Sequence, residues 1–582
     1  MSKSDLPEEM FADLVLMNCK IITLDKSNTV GGAVAIKGEW IMKVGTDEEI
    51  KKMIGEHTKL LVLTGKTVLP GFIDAHVHMS TLGQRALPSR YLVDGSDVKS
   101  IRDIQNLVAA EVKKAKSGEW IHVTSAPLGT LVDSRRLAER RQPNRYDLDP
   151  FSPDNPVCLI QSRGPYHGTV ILNGYALKMA SITKDTLDPP DYGFRGNIDR
   201  DNNGEPTGKI TGDMLAHLSL FAPSWAKWGW AYRTMSVSVD ELKSCIKAGG
   251  KKMLEQGITT VHEPKISPLE FQAYQELLRE EKKPKIPRVC CYLICGEYSW
   301  AYWGRLQNMI EHIDKLKIER GLGNNRLKIA GIKIYVDGGL AQHTAALSED
   351  YADDPGNKGL IVLSSLMFRD RLRIAWRLHM QAEIHAVGDR AIEQVLNTIT
   401  FLNMEYPIKD HRNRLNHCEV WRPDLIKRVK ELGLIAAPQQ MRSITQFGDL
   451  AEKALGPERV KMFLPFRTLL DAGIPVCASS DGSGYTGLQN IWAAVCRRTE
   501  TGKMLCPEER ITVMEAIRMH TYWSAYAGFE EDIKGSIEKG KLADFVVLGQ
   551  DPLTVDPEKI KDIPVEMTIL GGRVVHSASE EL

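Results

Sequence analysis

The chain has 582 residues, of which 43% are hydrophobic and 26% charged, the make-up of a soluble globular protein large enough for more than one domain. Lys+Arg and Asp+Glu both number 75, so no charge excess draws the chain to nucleic acid or to an anionic membrane, and neither is expected as a partner. The first 30 residues lack the apolar core of a secretory signal, no run of about 18 apolar residues suggests a membrane span, and the ten scattered cysteines include no C-x-x-C pair; a cytoplasmic protein with reduced thiols is expected.

In chain order, ADLVLMNCKIITLD (12–25) and GGAVAIKGEWIMKVG (31–45) read as short strands separated by turn residues. PGFIDAHVHM (70–79) follows, an apolar run that passes a Pro-Gly and ends in Asp74, His76 and His78. Side chains alternate across a strand, so His76 and His78 share a face and their imidazoles can converge on one metal ion. The pair alone is a weak signal; the residues downstream give it weight. Residues from about 84 to 230 are less regular. QSRGPYHGTVILNGYALKMA (161–180) and DRDNNGEPTGKI (199–210) suggest an inserted, partly β segment after the first barrel strand.

From there the pattern changes to apolar runs with polar ends, alternating with helical segments. The runs are GITTVHEP (257–264), GIKIYVDGG (331–339), AEIHAVGD (382–389), RLNHCEV (414–420), GLIAAPQQ (433–440) and GIPVCASSDG (473–482). Strand-then-helix units with reactive residues at strand ends predict an α/β fold, a (β/α)8 TIM barrel. KLADFVVLGQDP (541–552) and VEMTILGGRVVHS (565–577) return to short strands, so both termini should complete one small β-sandwich. The expected division is 1–69 and 535–582 for the sandwich and 70–534 for the barrel.

Five strand ends then offer metal-competent groups in order: His76 with His78, Lys333, His385, His417 and Asp481. The C-terminal ends of barrel strands face one rim, so residues far apart in sequence meet there. Such a set can hold two cations about 3.5–4 Å apart.

The ordered motifs PGFIDAHVHM, GIKIYVDGG followed by TAAL, EIHAVGDRA, RLNHCE, LLDAGIPVCASSDG and GSIEKGKLADFVVL resemble the amidohydrolase superfamily of metal-dependent hydrolases. Within it they resemble the amidohydrolase 3 family, which includes N-substituted formamide deformylase-like proteins. The resemblance runs from about Ala12 to about Val575 and implies the barrel with a composite sandwich. It implies that His76 and His78 bind the more buried metal, that His385 and His417 bind a second, and that Lys333 is carboxylated to bridge them. Asp481 would touch the first metal and act as the catalytic proton acceptor. The cofactor expected is Zn or Mn, one or two ions. The activity implied is attack of a metal-activated hydroxide on a carbonyl, most readily at the C–N bond of an amide or cyclic amide. The substrate is a small molecule and a homodimer is expected.

Other readings stay open in the sequence. Lys333 could be a rim lysine paired with Asp337 or Glu263, His385 a structural group, Cys418 a ligand in place of His417, and Asp481 a helix cap. One metal could serve instead of two. His167, in RGPYHGTVILN, and His343 are candidate substrate-binding residues, and Met441, Trp300, Tyr302 and Trp303 could wall a pocket. Where relatives often read D-G-S-L-G-S-R-T and S-D-x-P, this chain has DGGLAQHT and SDGS. These departures keep lactone opening, or C–C cleavage of a cyclic β-diketone, as alternatives. A non-catalytic barrel relative is the remote one.

Overall fold

The computed structural model describes residues 11–86, 92–94, 98–124, 137–162, 169–186, 188, 197–211, 238–281, 285–295, 310, 313–481 and 484–579. Seven parallel strands form the central sheet: β1 (Phe72–Asp74), β2 (Ile258–Ile266), β3 (Arg288–Ile294), β4 (Leu327–Tyr335), β5 (Gln381–Ala386), β6 (Arg414–His417) and β7 (Ile435–Ala437). Segment 475–480 takes the eighth place. It bridges to the β7 side at Ala436–Val476 and Gln439–Ser479, and Ala75 N donates to Ala478 O at 3.0 Å from the β1 side, which closes the (β/α)8 barrel. Strands buried on both faces need continuous apolar runs, and ITTVHEPKI and RVCCYLI are buried almost throughout.

The two ends of the chain build two further sheets. One has the order Trp40–Gly45, Ala33–Lys37, Leu14–Met17, Lys59–Val62. The other runs Arg573–Ser577, Val565–Leu570, Phe545–Leu548, Thr67–Pro70, Lys20–Ile22, Val30–Gly31, with the C-terminal Phe545–Leu548 antiparallel to the N-terminal Thr67–Pro70. Leu16, Val34 and Leu61 of the first sheet share a core with Val68, Phe545 and Ile569 of the second, the face-to-face packing of a sandwich. A buried ion pair joins sandwich to barrel: Arg288 at the start of β3 donates from Nε and Nη2 to Asp544 at 2.7 and 3.0 Å.

The insertion carries a six-stranded sheet, Asn197–Arg200, Pro206–Thr211, Thr169–Leu172, Val157–Ser162, Ile121–Thr124 and Leu92–Asp94, with a hydrophobic cluster on each face. It is flanked by two helices, Met79–Ala86 and Val239–Glu255. Ser238 starts the second with a reciprocal cap, accepting from Glu241 N while the Glu241 carboxylate accepts from Ser238 N. The two helices touch backbone to backbone. A Cβ on Gly83 would lie 1.7 Å from Cys245 O, and one on Gly249 2.1 Å from Met79 O, so only glycine fits at either place.

Candidate metal centre

The ladder of β1 ends at Asp74, before the two histidines, yet the alternation read from the sequence persists. Ala75 N donates to Ala478 O and Val77 N to His262 O, while His76 O accepts from Asp481 N at 2.8 Å. The backbone therefore keeps bonding to both neighbours, and the two imidazoles face the same way. Asp74 is structural: its carboxylate accepts from His76 N, Ser480 N and Ser480 Oγ and ties β1 to the closing segment. Two site-bearing ends turn through left-handed backbone, at His417 (φ 69°) with Cys418 (φ 37°) after it and at Asp481 (φ 53°), conformations that bulky residues hold only where the fold enforces them.

His76 Nε2 and His78 Nε2 each lie 3.3 Å from Asp481 Oδ1, and the three ligand atoms are within 4.8 Å of one another. The His417 ring centroid is 5.3 Å from that of His76 and 4.3 Å from that of His385. Lys333, near the C-terminal end of β4, is fully buried, and its Nζ has no hydrogen-bond partner. Burial lowers its pKa to about 8, against the opposing pull of Glu383 and Asp481, and brings the neutral amine within reach near neutral pH. Neither pairing considered for it from the sequence forms: Asp337 instead accepts from Val387 N, Gly388 N and Ala346 N, and Glu263 accepts from Ser80 and Tyr274.

Hydrogen bonds fix which nitrogen of each ring is a lone pair. Gly338 O sits 2.9 Å from His385 Nε2, so that nitrogen carries the proton, and the buried Nδ1, which has no partner, is the donor left for a metal. Gln439 uses its amide nitrogen toward Ser479 Oγ, so its oxygen faces His417 Nδ1 at 2.6 Å and leaves His417 Nε2 as the lone pair. His76 Nδ1 faces Glu383 Oε1 at 2.7 Å, which leaves its Nε2 aimed at Asp481. Burial, reinforced by the neighbouring positive charges, pushes the His385 pKa down to about 3 and that of His417 well below its ordinary value, so both rings are neutral ligands at pH 7. Burial alone would raise Asp481; its polar neighbours, the imidazoles of His76 and His78 and the Arg442 guanidinium, outweigh this and hold it well below its ordinary value. A lone pair of His76 facing a carboxylate oxygen across 3.3 Å, with a second imidazole nitrogen beside them, is the donor set of a divalent transition metal. The residues fit the group.

A second cluster, His262, Cys290 and Glu530, lies in the barrel core with cations already supplied. Lys328 and Lys534 contact Glu530 at 2.9 and 3.0 Å, and Arg414 Nη1 reaches His262 Nδ1 at 2.9 Å. Cys418, weighed from the sequence as a ligand, packs in the main hydrophobic core. His343 sits in a left-handed turn, stacked on Tyr351, with Asp353 and Asp354 at 3.4 and 3.5 Å. His167, Trp300, Tyr302 and Trp303 lie outside the described residues. Met441 begins a π-helical turn after β7 that also carries Arg442, whose Nε is 3.6 Å from Asp481 Oδ2.

The model of the Amidohydrolase family matches residues 62–576. The chain belongs to the amidohydrolase family. This amidohydrolase is 28% identical to the N-substituted formamide deformylase of Arthrobacter pascens, over 96% of its own length and 97% of that protein's. It is 29% identical to Protein LONG AFTER FAR-RED 3 of Arabidopsis thaliana, over 98% and 92%. Among solved structures, an uncharacterised metal-dependent hydrolase from Pyrococcus horikoshii OT3 superposes with a TM-score of 0.71 at 24% identity, over 94% of this chain and 99% of that one. The zinc complex of atrazine chlorohydrolase TrzN from Arthrobacter aurescens TC1 superposes with a TM-score of 0.52 at 14% identity, over 98% and 97%. The amidohydrolase is thus a hydrolase by family, on a barrel that these structures share.

Sequence reasoning missed Glu383, Arg414, Asn416, Gln439 and Arg442, although the first three stand inside the motifs EIHAVGDRA and RLNHCE. The signal was there. A charged or amide residue in an apolar parallel strand, one to three places before a ligand, has no solvent to face.

Proposed function

We propose that this amidohydrolase is a metal-dependent hydrolase of a small amide or cyclic amide. The observation that carries the reading is the meeting of His76 Nε2, His78 Nε2 and Asp481 Oδ1 at one point of the barrel rim. These three residues would hold one divalent ion. His385 through Nδ1, His417 through Nε2 and Lys333 would hold a second. Lys333 would do so after its neutral amine adds to carbon dioxide and loses a proton, which turns a repelling ammonium into an oxygen-donor anion. When bound, zinc or manganese lowers the pKa of a water molecule and polarises the carbonyl it attacks. Asp481 Oδ2, the oxygen not shared by the two imidazoles, would take the proton of the attacking water and pass it to the leaving nitrogen. Arg442, 3.6 Å from the same oxygen, holds the carboxylate in place.

The test is elemental analysis of the purified chain combined with a hydrolysis screen of N-substituted formamides, cyclic amides, lactones and cyclic β-diketones, with added Zn or Mn. Stoichiometric metal and chelator-sensitive turnover of an amide are expected. A chain that binds no transition metal and is indifferent to chelators would sink the reading, and turnover confined to lactones or diketones would move the bond cleaved.

A further inference from the structure

Glu383 is fully buried in β5, two residues before His385 and on the same inward face, one layer deeper in the barrel. Strand register sets it between Lys333 of β4 and Arg414 of β6. Its Oε1 lies 2.7 Å from His76 Nδ1 and 2.6 Å from Asn416 Nδ2, and as that amide nitrogen also lies 2.5 Å from His76 Nδ1, the carboxylate oxygen is the one acceptor the two nitrogens share. A carboxylate oxygen of this kind only accepts, so the protons must come from the imidazole and the amide. Arg414 stands behind it, with Nη2 3.7 Å from the same oxygen and Nη1 donating to Ala75 O at 2.9 Å, the carbonyl directly before His76. Carboxylate and guanidinium therefore grip His76 from its ring and from its backbone.

We infer that Glu383, braced by Arg414 and Asn416, is the positioning residue that holds His76 in the Nδ1–H tautomer and so presents its Nε2 to the metal. This rests on the metal-dependent reading above and adds the group that sets the affinity of the first ion. A ring without such a partner divides itself between tautomers and rotates; one hydrogen-bonded to a carboxylate is pre-oriented and more basic at the far nitrogen. Neither Glu383 nor Arg414 touches the metal or the reacting atoms in this scheme.

The measurement is zinc affinity by competition with a chromophoric chelator, on full-length protein first stripped of metal. Glu383→Gln keeps shape and an acceptor but loses the charge, and zinc binding should weaken about tenfold; Glu383→Leu removes the acceptor, and the loss should approach about a hundredfold. The metal-free variants should keep the wild-type circular dichroism, which separates the effect from unfolding. Wild-type protein that binds no zinc would overturn both this inference and the reading beneath it. Wild-type protein that binds zinc, with folded variants that bind it within twofold as tightly, would overturn this inference alone. A structure of the zinc-loaded wild type decides independently of whether the variants fold. Zinc on His76 Nε2 with Glu383 on Nδ1 is expected, whereas zinc on Nδ1, or on Glu383 itself, would overturn the assignment.

Discussion

Asp481 and Lys333 separate chemistry from stability. Asp481→Asn keeps the shape and removes the charge and basicity, so kcat should fall by about 10²–10⁴, the worth of a positioned general base, with a smaller change in KM. Steady-state kinetics on any turned-over member of the panel measures this. Lys333→Met should do the reverse for the metal-free chain. An ammonium buried without a hydrogen bond costs the fold, and an apolar chain of similar length relieves that cost by about 1–3 kcal/mol. Urea denaturation of the metal-free variant should show the gain, while elemental analysis shows the second metal equivalent lost. At this scale the sequence exposes ligands and hides their supports. His76, His78, His385, His417 and Asp481 stand out because their residue types bind metals and end apolar runs. Glu383 and Arg414 look like ordinary charges until strand register places them inside the barrel, and Gln439 acts through an amide whose orientation only its neighbour Ser479 reveals.

Among the elements, the joint between sandwich and barrel is the most exposed to a single change. Arg288 and Asp544 are 1% and 4% exposed as side chains, and Asp544 also accepts from Gly571 N. Asp544→Asn takes the nearer carboxylate from a buried guanidinium and leaves it only the half-exposed Glu39 at 3.2 Å, so it should destabilise the chain by about 3 kcal/mol in chemical denaturation. Burial alone would raise the Asp544 pKa; Arg288 overrides this and lowers it. A carboxylate depressed in the fold contributes stability that is present above its unfolded value of about 3.9 and is lost as pH falls below it. The variant should therefore lose this part of the acid sensitivity. Seven barrel runs were legible because each ends in polar chemistry; β3 was not, because RVCCYLI leads to no such signal and its one charge sits at the start. The sandwich was legible from alternation at both termini. The insertion was legible only as an irregular β-containing stretch, because its short strands mix parallel and antiparallel pairing and carry no common period.

For the whole molecule, acid stability follows from buried neutral histidines outside the metal-ligand set. Burial lowers His520 to about 3 and His411 to about 4. The unfolded chain takes up protons near pH 6.5 that the folded chain refuses, so stability is full above about 6.5 and falls as pH drops through the window down to those values. Each histidine contributes a slope of roughly 1.4 kcal/mol per pH unit within its window. Midpoints from denaturation at pH 7, 6 and 5 should therefore fall with or without metal, and His520→Gln should flatten the slope. No described helix is long and apolar enough to cross a membrane.

The glycine contact between helices Met79–Ala86 and Val239–Glu255 bears on how such a chain can change over evolutionary time. Met79 lies against Gly249 and Gly83 against Cys245, so the helices run antiparallel, and the end of the first comes beside the start of the second. The polypeptide thus leaves the barrel and returns to it at nearly the same spot, through a doorway locked by two residues without side chains. Whatever lies between the jambs can be lengthened, shortened or exchanged while the histidine-bearing loop and β2 keep their places. A chimera in which a short loop joins the two helices should still fold as a barrel and bind metal, whereas Gly83→Ala in the intact chain should disturb both. Novelty in this lineage is free to accumulate in the inserted stretch, and the doorway is where it cannot.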